Sequence, residues 1–226
     1  MKKSILKALG LVVLAGGILT ACSEEKASTE KKEEATPAEQ KDVSNKPKED
    51  ENGNVTFTQV GQTTKDDDGT KAELMKIKTV NQTVDIAPVK LTVKDMKVIQ
   101  LTNIGSDWEE LLIQYTDGKK LPSELNYIQI QYTAENLEEK NIGWNGIEKI
   151  VTNTGEQLDA SNGDIIWEEN GFDGTFYGKT KHEGIIGVLT KSNPKDLNSL
   201  KFIITSSFDP DSYEDITTPQ QTEFKF

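Results

Sequence analysis

One cysteine, no arginine and one histidine stand in a chain of 226 residues. The lone thiol, Cys22, excludes a disulfide framework and a cysteine-based zinc cluster, and the lone imidazole, His182, excludes any site that needs two. Without arginine all 26 basic side chains are lysine, so the planar fork that grips phosphate through two hydrogen bonds is missing. Together with a formal charge of −12, this argues against nucleic acid as a partner. Anionic partners in general are expected to be repelled, while cationic peptides, divalent ions or neutral polymers are favoured. Long apolar runs are absent too. The one candidate, Ala8 to Leu19, would reach only about 18 Å as a helix, short of the roughly 30 Å of a membrane core.

That short run has the layout of a signal peptide over residues 1–21. Lys2, Lys3 and Lys7 precede it, and small residues lead up to Cys22. The stretch Leu19-Thr20-Ala21-Cys22 resembles the lipobox of bacterial lipoproteins. The resemblance implies a diacylglyceryl group on the Cys22 thiol, with acyl chains of the palmitate class, and cleavage just before that residue. Two chains, at about 0.8 kcal/mol per buried methylene, hold a protein stably where one is marginal. The expected location is therefore the outer face of the cell membrane, with the lipid on Cys22 as the membrane contact. Loss of three lysines with the signal peptide takes the formal charge from −12 to −15.

Residues 22–53 are expected to be the lipidated cysteine followed by a disordered, charged linker. From Ser23 to Gly53 there is no aromatic residue, and the only apolar side chains are Ala27, Ala35, Ala38 and Val43, too few to bury a core. Glutamates, lysines, Pro37 and Pro47 make it a partly stiff tether that holds the rest on the order of 30 Å from the lipid.

Residues 54–226 are long enough for one hydrophobic core, and they read as strands. Val55 to Val60 and Lys71 to Val80 flank Lys65-Asp66-Asp67-Asp68-Gly69-Thr70, whose Asp-Gly step suits a tight hairpin. In Val89 to Ile104, the residues Val89, Leu91 and Val93 share one face, and Met96, Val98 and Leu101 need a bulge or bend to keep facing inward. Over Tyr127 to Ala134 the alternation is clean, with Ile128, Ile130, Tyr132 and Ala134 in the core and the opposite face wet. Further strands are expected at 147–151, 165–168, 175–178, 184–190, 200–208 and 222–226. One helix interrupts them, Trp108 to Tyr115, with Ser106 as its cap, Glu109 completing a capping box, and Leu111, Leu112 and Tyr115 facing inward. The fold class is all-β, an immunoglobulin-like β-sandwich with one short helix.

From Tyr127 to Phe208 the chain resembles the immunoglobulin-like extracellular domains of Gram-positive lipoproteins, related in fold to a mycobacterial immunoprotective antigen. The residues that carry this are Tyr132-Thr133-Ala134-Glu135-Asn136, Ile150 through Leu158, and Glu183-Gly184-Ile185-Ile186-Gly187-Val188-Leu189. The resemblance implies a binding or scaffolding module and supplies no catalytic residue.

Candidate chemistry is sparse. His182 sits in a lysine-rich turn, and no Gly-x-Ser-x-Gly elbow accompanies it, so no enzyme activity and no cofactor are expected. Asp66, Asp67 and Asp68 are the calcium candidates, although an EF-hand alignment places Met75 where the closing glutamate belongs. Asp209, Asp211, Glu214 and Asp215 form a second acidic group. Paired carboxylates of a cell-wall hydrolase are the enzymatic alternative, with no particular pair singled out. For ligand binding, aromatic residues set among glycines stand out: Trp167, Phe172, Phe176 and Tyr177, with Trp144 in Gly143-Trp144-Asn145-Gly146. The partner these would take is an envelope protein, peptide or polysaccharide.

Overall fold

The structure, a computed structural model, describes residues 46–51, 54–116, 118, 120–166 and 172–226. The expected signal peptide, Cys22, the expected linker as far as residue 45 and Trp167 lie outside the described residues. In chain order the elements are β1 (Lys48–Glu49), β2 (Val55–Thr56), β3 (Thr63–Lys65), β4 (Lys71–Ile86), β5 (Val89–Thr102), α1 (Ser106–Leu112) with a 3-10 turn at Ile113–Tyr115, and β6 (Glu124–Asn136). There follow β7 (Ile142–Trp144), β8 (Ile147–Thr152), β9 (Gln157–Asp159), β10 (Thr175–Phe176), β11 (Lys181–Thr190), β12 (Ser199–Ile204), β13 (Ser207–Phe208) and β14 (Gln220–Lys225). The chain forms the all-β sandwich expected of it.

One sheet runs β11-β6-β5-β4-β3 and the other β14-β12-β8-β9, with the small sheet β10-β7-β13 at one end. Their pairings are antiparallel. The bulge or bend demanded by the apolar pattern of β5 is a bulge: register against β6 shifts between Val93 and Asp95. It keeps Val89, Leu91, Val93, Met96 and Val98 all in the main core, facing Ile150, Leu200, Phe202 and Phe224 of the second sheet. Leu101 departs from the expectation. It lies on the opposite face in a second cluster with Leu74, Ile99, Tyr127 and Leu112 of α1.

That second cluster corrects the reading of β6 as wet on one side. Tyr127 is 0% exposed, Gln129 2% and Thr133 6%, because Phe57 from the N-terminal segment, α1, and Ile165 and Ile166 cover the outer face. The same cover encloses the Lys97–Asp95 ion pair, at 2.7 Å. These covering residues come from distant parts of the sequence, so no local periodicity announces them.

The ordered body also begins earlier than residue 54. β1 pairs with β2, and Gln62 fastens the ribbon by donating from Nε2 to the Lys46 carbonyl while its Oε1 accepts from the Thr58 and Gln59 amides. Lys46 and the β1–β2 ribbon therefore lie at the end of the sandwich that holds β3 and α1. The β4–β5 turn lies at the far end.

The helix is capped differently from its expected box. Its N-cap is Gly105, without a side-chain cap of its own. The carboxylate of Asp68, from the β3–β4 hairpin, accepts the Trp108 amide at 3.4 Å and the Thr70 amide at 2.9 Å. Asp66 accepts the indole N–H of Trp108. Burial alone would raise the Asp68 pKa, but these hydrogen bonds outweigh it and leave the group below its ordinary value. A Cβ on Gly105 would fall 2.4 Å from the Asp68 carbonyl oxygen, so glycine is what lets the hairpin approach. Leu112 is buried, Leu111 is half-buried, and Tyr115 is 36% exposed instead of facing inward. Replacing Asp68 with Ala is expected to cost about 1 kcal/mol, the usual worth of a cap, while Asp67→Ala at the exposed neighbour costs a few tenths. Urea unfolding of the two variants checks this, and equal losses would contradict it.

Candidate functional site

The sequence-derived aromatic candidates separate into core and surface. Trp144 is 0% and Phe176 1% exposed, so neither offers a face to a ligand, and both are corrected to core residues. Aromatic side chains interleaved with glycine suit a stacking platform, but Gly143 serves packing, since a Cβ there would lie 2.2 Å from the ring of Phe208, and Gly146, Gly174 and Gly178 serve turns with positive φ. Trp144 stacks on Phe176 at 6.4 Å between centroids and meets Tyr132 edge-on at 6.1 Å. Phe172 lies flat on His182 at 4.3 Å. Tyr177 is 63% exposed, with its hydroxyl donating to Asp173.

The calcium candidates do not converge. Asp66 and Asp68 are turned to α1 as described, and Asp67 is exposed. In the second acidic group, Asp209 accepts the amides of Asp211 and Ser212 and Asp215 accepts the Ser206 hydroxyl, the pattern of turn residues. Among the described residues no group of three His, Cys, Asp or Glu side chains is placed to hold a metal ion.

What the structure does bring together is a groove along the side of the sandwich, where β11 of one sheet runs beside β9 of the other. Its first part, about 470 Å³, is lined by Tyr132, Asn145, Ser161, Asn162, Asp164 and Ile186. Its second, about 480 Å³, has Leu125, Leu158, Val188 and Leu189 with Lys120 and Lys191. Tyr115 lines both and marks where they meet. The first part adjoins the glycine-rich aromatic loop, since the Trp144 amide donates to the Gly174 carbonyl at 2.8 Å and Asn145 sits beside Gly174.

Two carboxylates build the walls. Asp164 accepts the Ile166 and Gly187 amides at 3.0 and 2.8 Å, laying the 164–166 segment flat on β11. Only glycine fits at 187, where a Cβ would meet Ile166 at 2.4 Å. Glu156 accepts from the Thr190 hydroxyl at 2.6 Å, the Lys191 amide at 2.9 Å and the Ser192 hydroxyl at 2.7 Å, pinning the start of β9 to the end of β11. Burial would raise its pKa, but the hydrogen bonds prevail and hold it low. Sequence reading missed this groove because its wall residues are spread from 115 to 191 and form no motif.

Among known proteins, the chain is 30% identical over 244 aligned positions to an uncharacterized protein, YdhF, of Bacillus subtilis strain 168, covering 99% of this chain and 100% of that one. The chain belongs to the YdhF family. No family model matches it. A functionally unknown protein from Listeria monocytogenes EGD-e has a crystal structure that superposes with a TM-score of 0.50 at 11% identity, covering 69% of this chain and 86% of the other, a likeness of fold alone.

In this YdhF-family chain the single histidine is a packing residue. Burial holds the His182 imidazole below its ordinary value near 6.5, with the Glu183 carboxylate pulling the other way. The unfolded chain therefore takes up the proton first as pH falls. The contribution of His182 is whole above about pH 6.5 and declines as pH drops from there through the folded-state value. Melting temperature measured across that window is expected to fall with pH, and His182→Phe, which keeps the stack on Phe172, flattens the slope. An unchanged slope in the variant would contradict the assignment.

Proposed function

We propose that this protein is a lipid-anchored, extracytoplasmic, non-catalytic binding module of the cell envelope, holding a peptide or polysaccharide in the groove between β9 and β11. The observation that carries the binding reading is the groove itself. Two adjoining cavities, about 470 and 480 Å³, place the apolar Ile186, Leu158, Val188 and Leu189 beside amide and hydroxyl groups such as Asn145, Asn162 and Ser161 and the charged Lys120 and Lys191, the mixture of apolar surface and a few polar groups found at ligand sites. Location is supported separately, by the lipobox-like Leu19-Thr20-Ala21-Cys22 and the charged tether behind it. Among the described residues no helix is long and apolar enough to cross a membrane.

A photo-crosslinking residue placed at Asn162, on the rim, tests the reading in intact cells, with Lys201 on the second sheet as the control position. Adducts from position 162 and none from 201 are expected. Equal adducts at both, or none at either, would overturn it.

A further inference from the structure

The free edge of β9 opens into the second part of the groove. Thr152 N donates to the Glu156 carbonyl and Ala160 N to the Glu148 carbonyl, so the even-numbered residues from 156 to 160 pair with β8. Alternation then turns the main-chain groups of Gln157 and Asp159 the other way. The cavity of about 480 Å³ lies on that side, since Gln157, Leu158 and Asp159 all line it and no residue of β8 does. Of the groups so turned, the Asp159 carbonyl accepts from Gly163 N at 3.0 Å. The Gln157 N–H, the Gln157 carbonyl and the Asp159 N–H have no partner among the described residues.

Another open edge of the sandwich is guarded in a way that this one is not. Beyond Leu74, β4 has no strand on one side, yet register shifts between Leu74 and Lys76 and between Thr79 and Gln82 break its regularity, and Asn81 stands at a φ of 49°. Such irregularity keeps an edge from pairing with another chain. In β9 there is neither a shift of register nor a proline.

The cavity suits a neutral main chain. Lys120 and Lys191 share its lining with Glu156 and Asp159, so its charges balance, and Pro122, Leu125, Val188 and Leu189 supply apolar surface. A sugar chain would need aromatic faces to stack on. Trp144 and Phe176 are closed in the core, and of the tyrosines that line the groove Tyr132 is 8% and Tyr115 36% exposed.

We propose, resting on the groove as the binding site, that an extended peptide of a partner protein adds a strand to β9 in this cavity. Its carbonyls accept from the Gln157 and Asp159 amides, and one of its amides donates to the Gln157 carbonyl. Every second side chain points inward, as Leu158 does, toward the apolar lining. Main-chain pairing then provides the affinity, and the side-chain pockets provide the choice of partner.

The test uses residues 22–226 with Cys22→Ser, which keeps every described residue, panned against a phage-displayed library of random peptides. A selected peptide is titrated by calorimetry, and exchange of the Gln157 and Asp159 amides, read by NMR, is expected to slow when it binds. Gln157→Pro removes the outward N–H without breaking a bond to β8, and it is expected to weaken the peptide about tenfold, the upper worth of one hydrogen bond. Gln157→Ala keeps the main chain and binds like the parent. If the proline variant melts early, amide exchange in the parent decides alone. Full-strength binding by a folded proline variant, or a peptide that binds while both amides exchange as before, would overturn the strand pairing. Enrichment of no sequence would overturn the peptide. In that case adducts from position 162 in cells would leave the groove as the site of another kind of chain, such as a polysaccharide, and their absence would remove the groove as well.

Discussion

Trp144→Ala is expected to cost about 3–5 kcal/mol, the range for emptying a buried large aromatic position, against a total stability of about 5–15 kcal/mol for a domain. The indole is 0% exposed, and it joins the small sheet to the main core by contact with both Phe176 and Tyr132. Its removal leaves a void that the surrounding strands, held in register, close only in part. Trp144→Phe separates packing from polarity. The indole Nε1 is buried without a hydrogen-bond partner, so exchanging it for a phenyl ring removes an unsatisfied donor while keeping most of the contacts. That variant is expected to lose less than about 1.5 kcal/mol. Urea unfolding monitored by circular dichroism gives both values. An alanine variant within about 1 kcal/mol of the parent would mean that the ring lies in a site that tolerates its loss, contrary to its burial.

The second large effect concerns location. Cys22→Ser is expected to abolish incorporation of an alkyne-bearing palmitate and to shift the protein out of the membrane fraction, because a hydroxyl does not accept the diacylglyceryl group. Without acyl chains, the remaining membrane contact falls below even the marginal binding of a single chain, about 10⁴ M⁻¹. The effect on the fold is expected to be nil, since Cys22 lies outside the described body that holds the hydrophobic core. A variant with a cleaved N-terminus that still sediments with membranes would show that something other than this lipid holds it.

The β-sandwich was legible wherever a strand has one dry face and one neighbour pattern. Ile128, Ile130, Tyr132 and Ala134 announce β6, and the break after Val93 announces the β5 bulge. Asp68-Gly69 announces the β3–β4 turn, in which Gly69 has a φ of 98°. What sequence left hidden depends on contacts between remote segments. Burial of Gln129 and Thr133 requires cover from elsewhere in the chain, such as Phe57 and the 165–166 segment. The helix cap is supplied by Asp68, 40 positions before the Trp108 amide it accepts, so a local search for a capping box finds Ser106 and Glu109 instead. Trp144 and Phe176 read as surface candidates because glycines surround them, but Gly143 admits the ring of Phe208, and Gly146, Gly174 and Gly178 form turns with positive φ. The groove is hidden for the same reason, since Glu156 meets its partners at 190–192 only after the two sheets have stacked.

Mass spectrometry of the N-terminal peptide from membrane-extracted protein addresses the anchored-module account most directly. The expected peptide starts at Cys22 and carries the mass of a diacylglyceryl group. An unmodified chain starting at Met1 would contradict it.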